Sequence, residues 1–482
     1  LIDPALIDRL ASARILVVGD VLLDRFVEGQ VTRISREAPV PVLKLQRTQS
    51  HLGGAGNVAA NILATRGSVR LIGIVGADAA ADELRALCTG FDRLACDLIV
   101  DASRQTTVKS RYLSGWQQLF CLDAEDTNPA SPDISAALVR AATAALPDCD
   151  VLVLSDYARG ALDDAAIAAL IAAARRQGIP AIVDPRRATA ASFAGATLIT
   201  PNLDEMAAFT GIHVDSDASA EAACARLLSA APIDAVLLTR GSAGMTLVER
   251  ASTTPVHVPA ETHRVFDVTG AGDTVVATIA SVLAAGADLP TAVRLANLAA
   301  GIVVAKPGTA TALPQEIAMA LGAARGDGIG DWTEAAERVR LWQALGLTVG
   351  FTNGVFDLLH RGHLHSLNQA RQRCDRLVVG VNADVSVRRL KGPDRPVQDE
   401  GARAAILAAL RAVDLVVIFD NDTPEELIRT LKPNRLFKGA DYAGTEIPGG
   451  AFVKANGGTV EFLPLLDGHS TTGTVARVRG QS

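Results

Sequence analysis

The heptapeptide Asp267-Val-Thr-Gly-Ala-Gly-Asp273 constrains the fold of this chain more than any other stretch. It lies between a strand-like run, Thr254 to Val258, and a long apolar, alanine-rich segment from Thr274 to Gly286. Gly270 and Gly272 bracket Ala271, so the backbone can turn sharply and approach a ligand with no Cβ in the way. The helix predicted to follow opens with unpaired N–H groups and a partial positive charge, which together make an anion site. Asp273 gives the stretch its specificity. A carboxylate at the mouth of an anion hole repels a phosphate. It is better explained as a base that takes the proton from an attacking hydroxyl while the amides hold the phosphoryl group in transfer. The plainer alternative is a glycine turn whose Asp caps a helix, and the rest of the chain weighs against it.

A chain of 482 residues suggests two or three domains. Its formal net charge of −7 and pI near 5.7 argue against a general binder of nucleic acid or anionic membrane. A small phosphorylated ligand needs only a local positive site. Six cysteines (Cys88, Cys96, Cys121, Cys149, Cys224 and Cys374) are scattered without a C-x-x-C pair. That pattern fits buried thiols in a reducing compartment better than a disulfide frame or a zinc site. No basic-then-apolar signal segment starts the chain, and the longest apolar run, Val275 to Ala287, is too short to span a bilayer. A cytoplasmic protein without membrane or nucleic-acid partners is expected.

Arg14 to Gly19 has the pattern of a buried strand, ending in Gly19-Asp20 with Asp24 a turn later. An open α/β sheet keeps its ligand just beyond the carboxyl ends of its strands, so these acids could accept hydrogen bonds from sugar hydroxyls. Surface solvation explains them equally well at this point. Phe26 to Gln49 has the pattern of short strands bearing Arg33 and Arg36, a candidate lid. Gly53-Gly54-Ala55-Gly56-Asn57 runs into an apolar helix to Thr65, with Asn57 offering a donor and an acceptor. Thr106 to Tyr112 and Leu119 to Asp123 pattern as paired strands with Lys109 and Arg111 on one face, although a solvated edge strand also carries lysine. From Val151 to Thr239 strands and helices alternate, which predicts a parallel sheet covered on both faces. Within it, Pro201-Asn202-Leu203-Asp204-Glu205 places an amide and a carboxylate three residues apart at a helix start. The pair suits water-mediated Mg²⁺ near nucleotide phosphates. A capping box uses the same spacing.

Taken together, Gly53-Gly54, Asn57, Asn202-x-x-Glu205, Thr239-Arg240-Gly241 and Asp267 to Asp273 resemble the ribokinase family of sugar kinases over roughly residues 10 to 322. The resemblance implies Asp273 as the base, with Gly270, Ala271, Gly272 and Asp273 forming the anion hole. It places Asn202, Leu203, Asp204 and Glu205 at Mg²⁺–ATP, Glu205 meeting the metal through water. Arg240 to Gly244 and Ala300 to Gly308 would flank the adenine. Asp20, Asp24, Gly53, Gly54, Asn57, Lys109 and Arg111 fall to the sugar. Cys121 stands where the family pattern has a basic residue after Gln117-Gln118, which shifts the sugar-phosphate contact onto Lys109 and Arg111. A monovalent cation as an optional addition, and a homodimer formed through lid strands, belong to the same resemblance.

The sheet is expected to end near Leu321, and Gly322 to Gly330 is small, polar and linker-like. Trp332 to Leu345 follows with an amphipathic pattern. The chain then divides into residues 1–322, a linker and leading helix at 323–345, and a second α/β domain at 346–482. That domain opens with a strand at Leu347 to Thr352 and continues Asn353-Gly354-Val355-Phe356-Asp357, where Asn353, Gly354, Phe356 and Asp357 are candidates for nucleotide or phosphate contacts, then Leu358-Leu359-His360-Arg361-Gly362-His363. Two imidazoles beside free helix amides can donate to an α-phosphate and to a leaving pyrophosphate. A metal pair competes, but the spacing is not that of H-E-x-x-H and no third ligand is evident. Two solvent-facing histidines are the plain alternative. Lys391, Lys438, Asp441, Ser470, Thr471 and Thr472 further on suit phosphate, ribose or sugar contacts.

Residues 347 to 478 resemble the cytidylyltransferase-like nucleotidyltransferases, on H-x-G-H at His360 to His363 and on Ser470 to Thr472 with Arg477. The fold class implied is α/β: a ribokinase-like sandwich with a small β lid, then a doubly wound, Rossmann-like domain. The order of the two domains, with strings such as GDVLLD, GGAGNVAANI, TNGVFDLLHRGH and KGADY, resembles the bifunctional heptose kinase/adenylyltransferases of Gram-negative bacteria. That implies ATP-dependent phosphorylation of D-glycero-β-D-manno-heptose 7-phosphate at O1. It also implies adenylyl transfer to heptose 1-phosphate, giving ADP-heptose for lipopolysaccharide core. Two rivals are the same chemistry on another sugar phosphate, and a kinase carrying a nucleotide-sensing module without turnover.

Overall fold

Arg14–Gly19 and Val151–Ser155 are short apolar runs buried along nearly their whole length, the signature of parallel strands covered on both faces. They lie side by side in a nine-stranded sheet. The computed structural model describes residues 5–115, 117–186, 190–260, 265–306, 308–323, 328–344, 346–464 and 466. Contacts divide the chain into two compact units, Leu1–Ile317 and Ala318–Ser482.

In the first unit the sheet runs Val256–Val258, Met245–Glu249, Ala235–Thr239, Leu198–Ile199, Ala181–Asp184, Val151–Ser155, Arg14–Gly19, Ser68–Val75, Leu94–Val100. Pairing is parallel from Ala235–Thr239 through to Leu94–Val100, while the two strands at the other edge are antiparallel. Side chains alternate across the sheet, so Leu16, Val18, Leu152 and Leu154 share one apolar cluster with helices Pro132–Ala145, Asp164–Arg176 and Asp217–Ala230. Helices Ala55–Ala64 and Ala271–Ala284 pack on each other and on strands Arg14–Gly19 and Val151–Ser155. The lid differs from expectation. Instead of several short strands, Val21–Ile34 and Pro41–Gly54 are two strands of 14 residues each, paired antiparallel. Gly29, the one glycine in the first of them, is absorbed as a register shift, and the chain reverses only at Ser35 to Val40. Val108–Ser114 and Gln117–Ala124 complete the four-stranded lid.

In the second unit six strands are all parallel, in the order Ile329–Gly330, Leu415–Phe419, Arg376–Asn382, Val349–Gly354, Arg435–Gly439, Thr459–Leu463. Strand order reverses between Val349–Gly354 and Arg435–Gly439, and a crevice opens at such a switch point beyond the carboxyl ends. Val378 packs on one face with helix Trp332–Ala344, while Leu377 and Val379 pack on the other with Leu367 and Leu407. The helix at Trp332 is thus part of this unit's core through Ala335, Ala336, Val339 and Trp342. No helix among the described residues is long and apolar enough to cross a membrane.

Candidate active sites

The carboxyl ends of strands Arg14–Gly19, Val151–Ser155, Ala181–Asp184, Leu198–Ile199 and Ala235–Thr239 all lead to one side of the first sheet. There a cavity of about 540 Å³ opens beneath the lid. Asp273 sits in its wall, in the first turn of helix Ala271–Ala284, and is 6% exposed. Gly270 is the N-cap at φ 79°, and a Cβ there would lie 2.8 Å from Asn57 Nδ2. Glycine at 270 therefore lets Asn57 reach the carboxylate, donating at 2.6 Å. The hydroxyl of Tyr157 donates to the other carboxylate oxygen. Thr274 and Asn61 extend the same polar seam, the threonine hydroxyl donating at 2.9 Å. Burial pushes the Asp273 carboxyl up to about 6, against the opposing effect of the Tyr157 and Asn57 donors; the charge of Asp24 adds to the rise and Arg186 counters it. Asp267 fixes the turn, accepting from the Thr269 amide at 2.9 Å and the Gly308 amide at 3.2 Å. The Ala271 amide is spent on Val268 O, while Gly272 faces the cavity with open space where a Cβ would stand.

Asn202 and Glu205 form the capping box that was the plainer of the two sequence alternatives. Asn202 Oδ1 accepts from the Glu205 amide at 2.9 Å, and Glu205 Oε2 from the Asn202 amide at 2.8 Å. Both nonetheless line the cavity, and the second oxygen of Glu205 accepts from Arg186 at 3.0 Å. Burial raises the Glu205 carboxyl, and the Asn202 amide and Arg186 hold it back. No group of three His, Cys, Asp or Glu side chains among the described residues could enclose a metal ion. A single part-buried carboxylate fits Mg²⁺ held chiefly by nucleotide phosphates and reached through water.

On the sugar side Asp24 and Arg111 form a buried pair at 2.7 Å, and Lys109 pairs with Asp123 at 3.1 Å. All four line the cavity together with Gly54 and Arg159. Cys121 is exposed opposite Arg111 in the strand pair and directs its thiol to Asp123. Asp20 requires a correction. Its buried carboxylate does not line the cavity, because it accepts from three backbone amides: Tyr157 at 2.7 Å, Arg159 at 3.0 Å and Ala161 at 2.9 Å. It builds the loop that carries Tyr157. Arg240 also faces elsewhere, donating to Asp217 at 2.6 Å and to the Ala243 carbonyl, and Gly53, Leu203, Asp204 and Gly241 do not line this cavity. Sequence reasoning missed Tyr157, Asp184 and Arg186. Asp184 is half-buried in the cavity wall, and burial, then Asp273 and Glu205, push it up to about 7. Each stands at or just past the end of a buried parallel strand, the signal that could have marked it.

In the second unit the residues gather at the switch point. Lys438, on strand Arg435–Gly439, donates to Asn353 Oδ1 on strand Val349–Gly354 at 2.5 Å. Burial lowers the Lys438 ammonium to about 8, partly offset by Asp441. His360 is the N-cap of helix Arg361–Arg371, and its ring stacks on His363 at 3.8 Å and 20°. Phe356, at φ 48°, sets its ring edge-on to His363 at 5.2 Å, and a Cβ on Gly354 would sit 3.0 Å from that ring. Burial, His360 and Lys391 hold the His363 imidazole down to about 4, so it is neutral at pH 7. Asp357 is the second correction. Only 2% exposed, it accepts from Arg395 at 2.5 Å and from the Val397 and Gln398 amides, and so pins residues 395–398 rather than a nucleotide. Buried Arg403 knits the same region, donating to the carbonyls of Val355, Asn382 and Gln398 and to Asp384. Lys391 and Asp441 are exposed nearby, while Ser470, Thr471 and Thr472 lie outside the described residues.

Residues 12–316 match the pfkB family of carbohydrate kinases, and residues 351–447 match the cytidylyltransferase-like family. The Bifunctional protein HldE of Caulobacter vibrioides is 49% identical over 473 residues, 97% of either chain. The protein of the same name from Rhodospirillum rubrum is 46% identical over 477 residues, 98% of this chain and 96% of its own. Among solved structures, phosphofructokinase-2 from Escherichia coli superposes with TM-score 0.53 at 20% identity, covering 64% of this chain and 97% of that one. Ribokinase from Giardia lamblia gives 0.52 at 21%, covering 64% and 98%. These likenesses to known structures establish the ribokinase-like fold of the first unit. With two family matches in this order and such identity over nearly the whole length, the chain belongs to the bifunctional HldE family, an ATP-using carbohydrate kinase followed by a cytidylyltransferase-like unit.

Proposed function

We infer that the chain carries two activities of ADP-heptose synthesis: phosphorylation of D-glycero-β-D-manno-heptose 7-phosphate at O1 with ATP, and adenylyl transfer from ATP to heptose 1-phosphate. The observation that carries the kinase reading is Asp273, buried at a helix start and facing a cavity rimmed by Lys109, Arg111, Arg159 and Arg186. In that reading Asp273 takes the O1 proton, the helix start receives the phosphoryl charge, and Lys109 and Arg111 meet the sugar phosphate. ATP brings Mg²⁺, which Glu205 and Asn202 would hold through water; the resemblance adds a monovalent cation as an optional component. The first activity is assigned to residues 1–322 and the second to 346–482.

In the second site an oxygen of the sugar 1-phosphate attacks the α-phosphorus of ATP, and the bond to pyrophosphate breaks. No covalent enzyme intermediate is required. His360, His363, Lys438 and the amides opening helix Arg361–Arg371 would stabilise the charge on the two phosphates. Exposed apolar residues on the lid, Leu45, Phe120 and Leu122, support a homodimer formed through it. A cytoplasmic location follows from the substrates.

Asp273→Asn is expected to remove kinase turnover by three orders of magnitude or so and to spare adenylyl transfer, and His363→Ala to do the reverse. ADP release from ATP and heptose 7-phosphate, and pyrophosphate release from ATP and heptose 1-phosphate, read the two separately. Near-normal phosphorylation by Asp273→Asn removes Asp273 from the role of base. Equal turnover with mannose 1-phosphate removes the heptose assignment.

A further inference from the structure

Asp273 is contacted by side chains from two other parts of the chain, and one of them has no role in the reading given above. The Tyr157 hydroxyl donates to one oxygen of the carboxylate while Asn57 Nδ2 donates to the other. Tyr157 itself is held from two sides. Its backbone amide donates to Asp20, and the Arg186 guanidinium lies over its ring at 5.4 Å while donating to Glu205 at 3.0 Å. The phenol therefore reaches Asp273 from a loop whose position does not depend on the hydroxyl.

We propose that Tyr157 is a positioning residue of the kinase reaction, whose hydroxyl fixes the rotation of the Asp273 carboxylate and keeps it ionised in a buried wall. This rests on the reading of Asp273 as the base. A carboxylate with one donor on each oxygen cannot rotate without breaking a charge-assisted hydrogen bond. It still has lone pairs for the incoming proton, since two oxygens offer about four acceptor sites. Burial works in the opposite direction and favours the protonated acid, which cannot act as a base. The groups facing Asp273 are Asp24 from the lid, Asn57 from helix Ala55–Ala64, Tyr157, and Asp184 and Arg186 from the end of strand Ala181–Asp184. The two aspartates disfavour its charge. Tyr157, Asn57 and Arg186 are what favour it, and of these only Tyr157 and Asn57 donate to it directly. A tyrosine suits the position because burial and the neighbouring carboxylates raise its own acidity limit well above the usual value, so it stays a donor throughout the working range.

The test is Tyr157→Phe in the full chain, with kinase kcat/KM measured from pH 5 to 9. Losing one hydrogen bond to a charged group is expected to move the acid limb up by about one pH unit, which alone roughly halves the ionised base at pH 7, and the freed rotation of the carboxylate is expected to bring the fall in kcat to about tenfold. KM for ATP should stay unchanged, which reports an intact kinase unit, and adenylyl transfer should stay unchanged, which measures the amount of active chain in the same sample. An acid limb unmoved from wild type overturns the proposal, even if kcat falls, because a merely structural tyrosine predicts that outcome. Asp273→Asn separates the two layers of inference. If it abolishes phosphorylation while Tyr157→Phe leaves the limb in place, only the role of Tyr157 fails. If Asp273→Asn retains phosphorylation, the base assignment fails and takes this one with it.

Discussion

At the scale of single residues, the informative distinction is between carboxylates that face the cavity and those that build it. Asp20 and Asp273 follow glycines at the ends of elements and look alike as sequence, yet three amides consume one and two side-chain donors orient the other. Asp20→Ala would leave the amides of Tyr157, Arg159 and Ala161 without their acceptor. The expected loss is on the order of 3 kcal/mol, at about 1 kcal/mol or more for each buried donor left unmade. Thermal unfolding should show the first transition lowered, and kinase turnover should fall because Tyr157 rides on that loop. An unchanged melting curve would show that water replaces the carboxylate. The motif around Asp273 was legible because its chemistry is local, seven consecutive residues ending in a helix. Tyr157, Asp184 and Arg186 were not, since they meet Asp273 only when strands far apart in sequence pair in one sheet. Asp357 was misjudged for the same reason: its partners, Arg395, Val397 and Gln398, lie 38 to 41 residues further along the chain.

At the scale of elements, buried parallel strands and capped helices were easy to place, because burial on both faces writes a continuous apolar run. Ala235–Thr239 and Leu203–Thr210 belong to the alternation of strands and helices that the sequence shows from Val151 to Thr239. The lid was harder. Its strands are solvated on much of their length, so hydrophobic alternation is weak, and Val21–Ile34 and Pro41–Gly54 emerge as long strands only through their mutual pairing. That solvated sheet still exposes Leu45 at 61%, Phe120 at 52% and Leu122 at 54%, which is apolar surface a lone lid has no reason to keep. If lids pair two copies, light scattering should give about twice the chain mass of 50.1 kDa. Phe120→Lys with Leu122→Lys should then give the single-chain mass, by placing like charges in the interface. A wild-type mass of one chain would leave the lid face to some other partner and remove the dimer.

At the scale of the whole molecule, the described residues proposed for each site fall within one unit. The cavity proposed for the kinase draws on residues from Leu22 to Thr309, and the residues proposed for the transferase run, among the described residues, from Asn353 to Asp441. The chemistry of the two reactions also keeps them apart. The kinase product still bears the 7-phosphate, whereas the transferase reading takes a sugar carrying phosphate at C1 alone, so a phosphatase must act between them. With ATP and heptose 7-phosphate the wild-type chain should therefore release ADP but no pyrophosphate, and pyrophosphate should appear only once a phosphatase specific for C7 is added. If each reaction needs only residues of its own unit, the same sequence should run in trans. An equimolar mixture of Asp273→Asn and His363→Ala chains, with phosphatase present, should form ADP-heptose at about half the wild-type rate, since half of each kind of site is active. Pyrophosphate release without phosphatase would mean that the second site accepts the bisphosphate. A mixture far slower than half would mean that the intermediate passes between sites of one chain instead of through solution, and the two units would then have to be treated as one catalytic device.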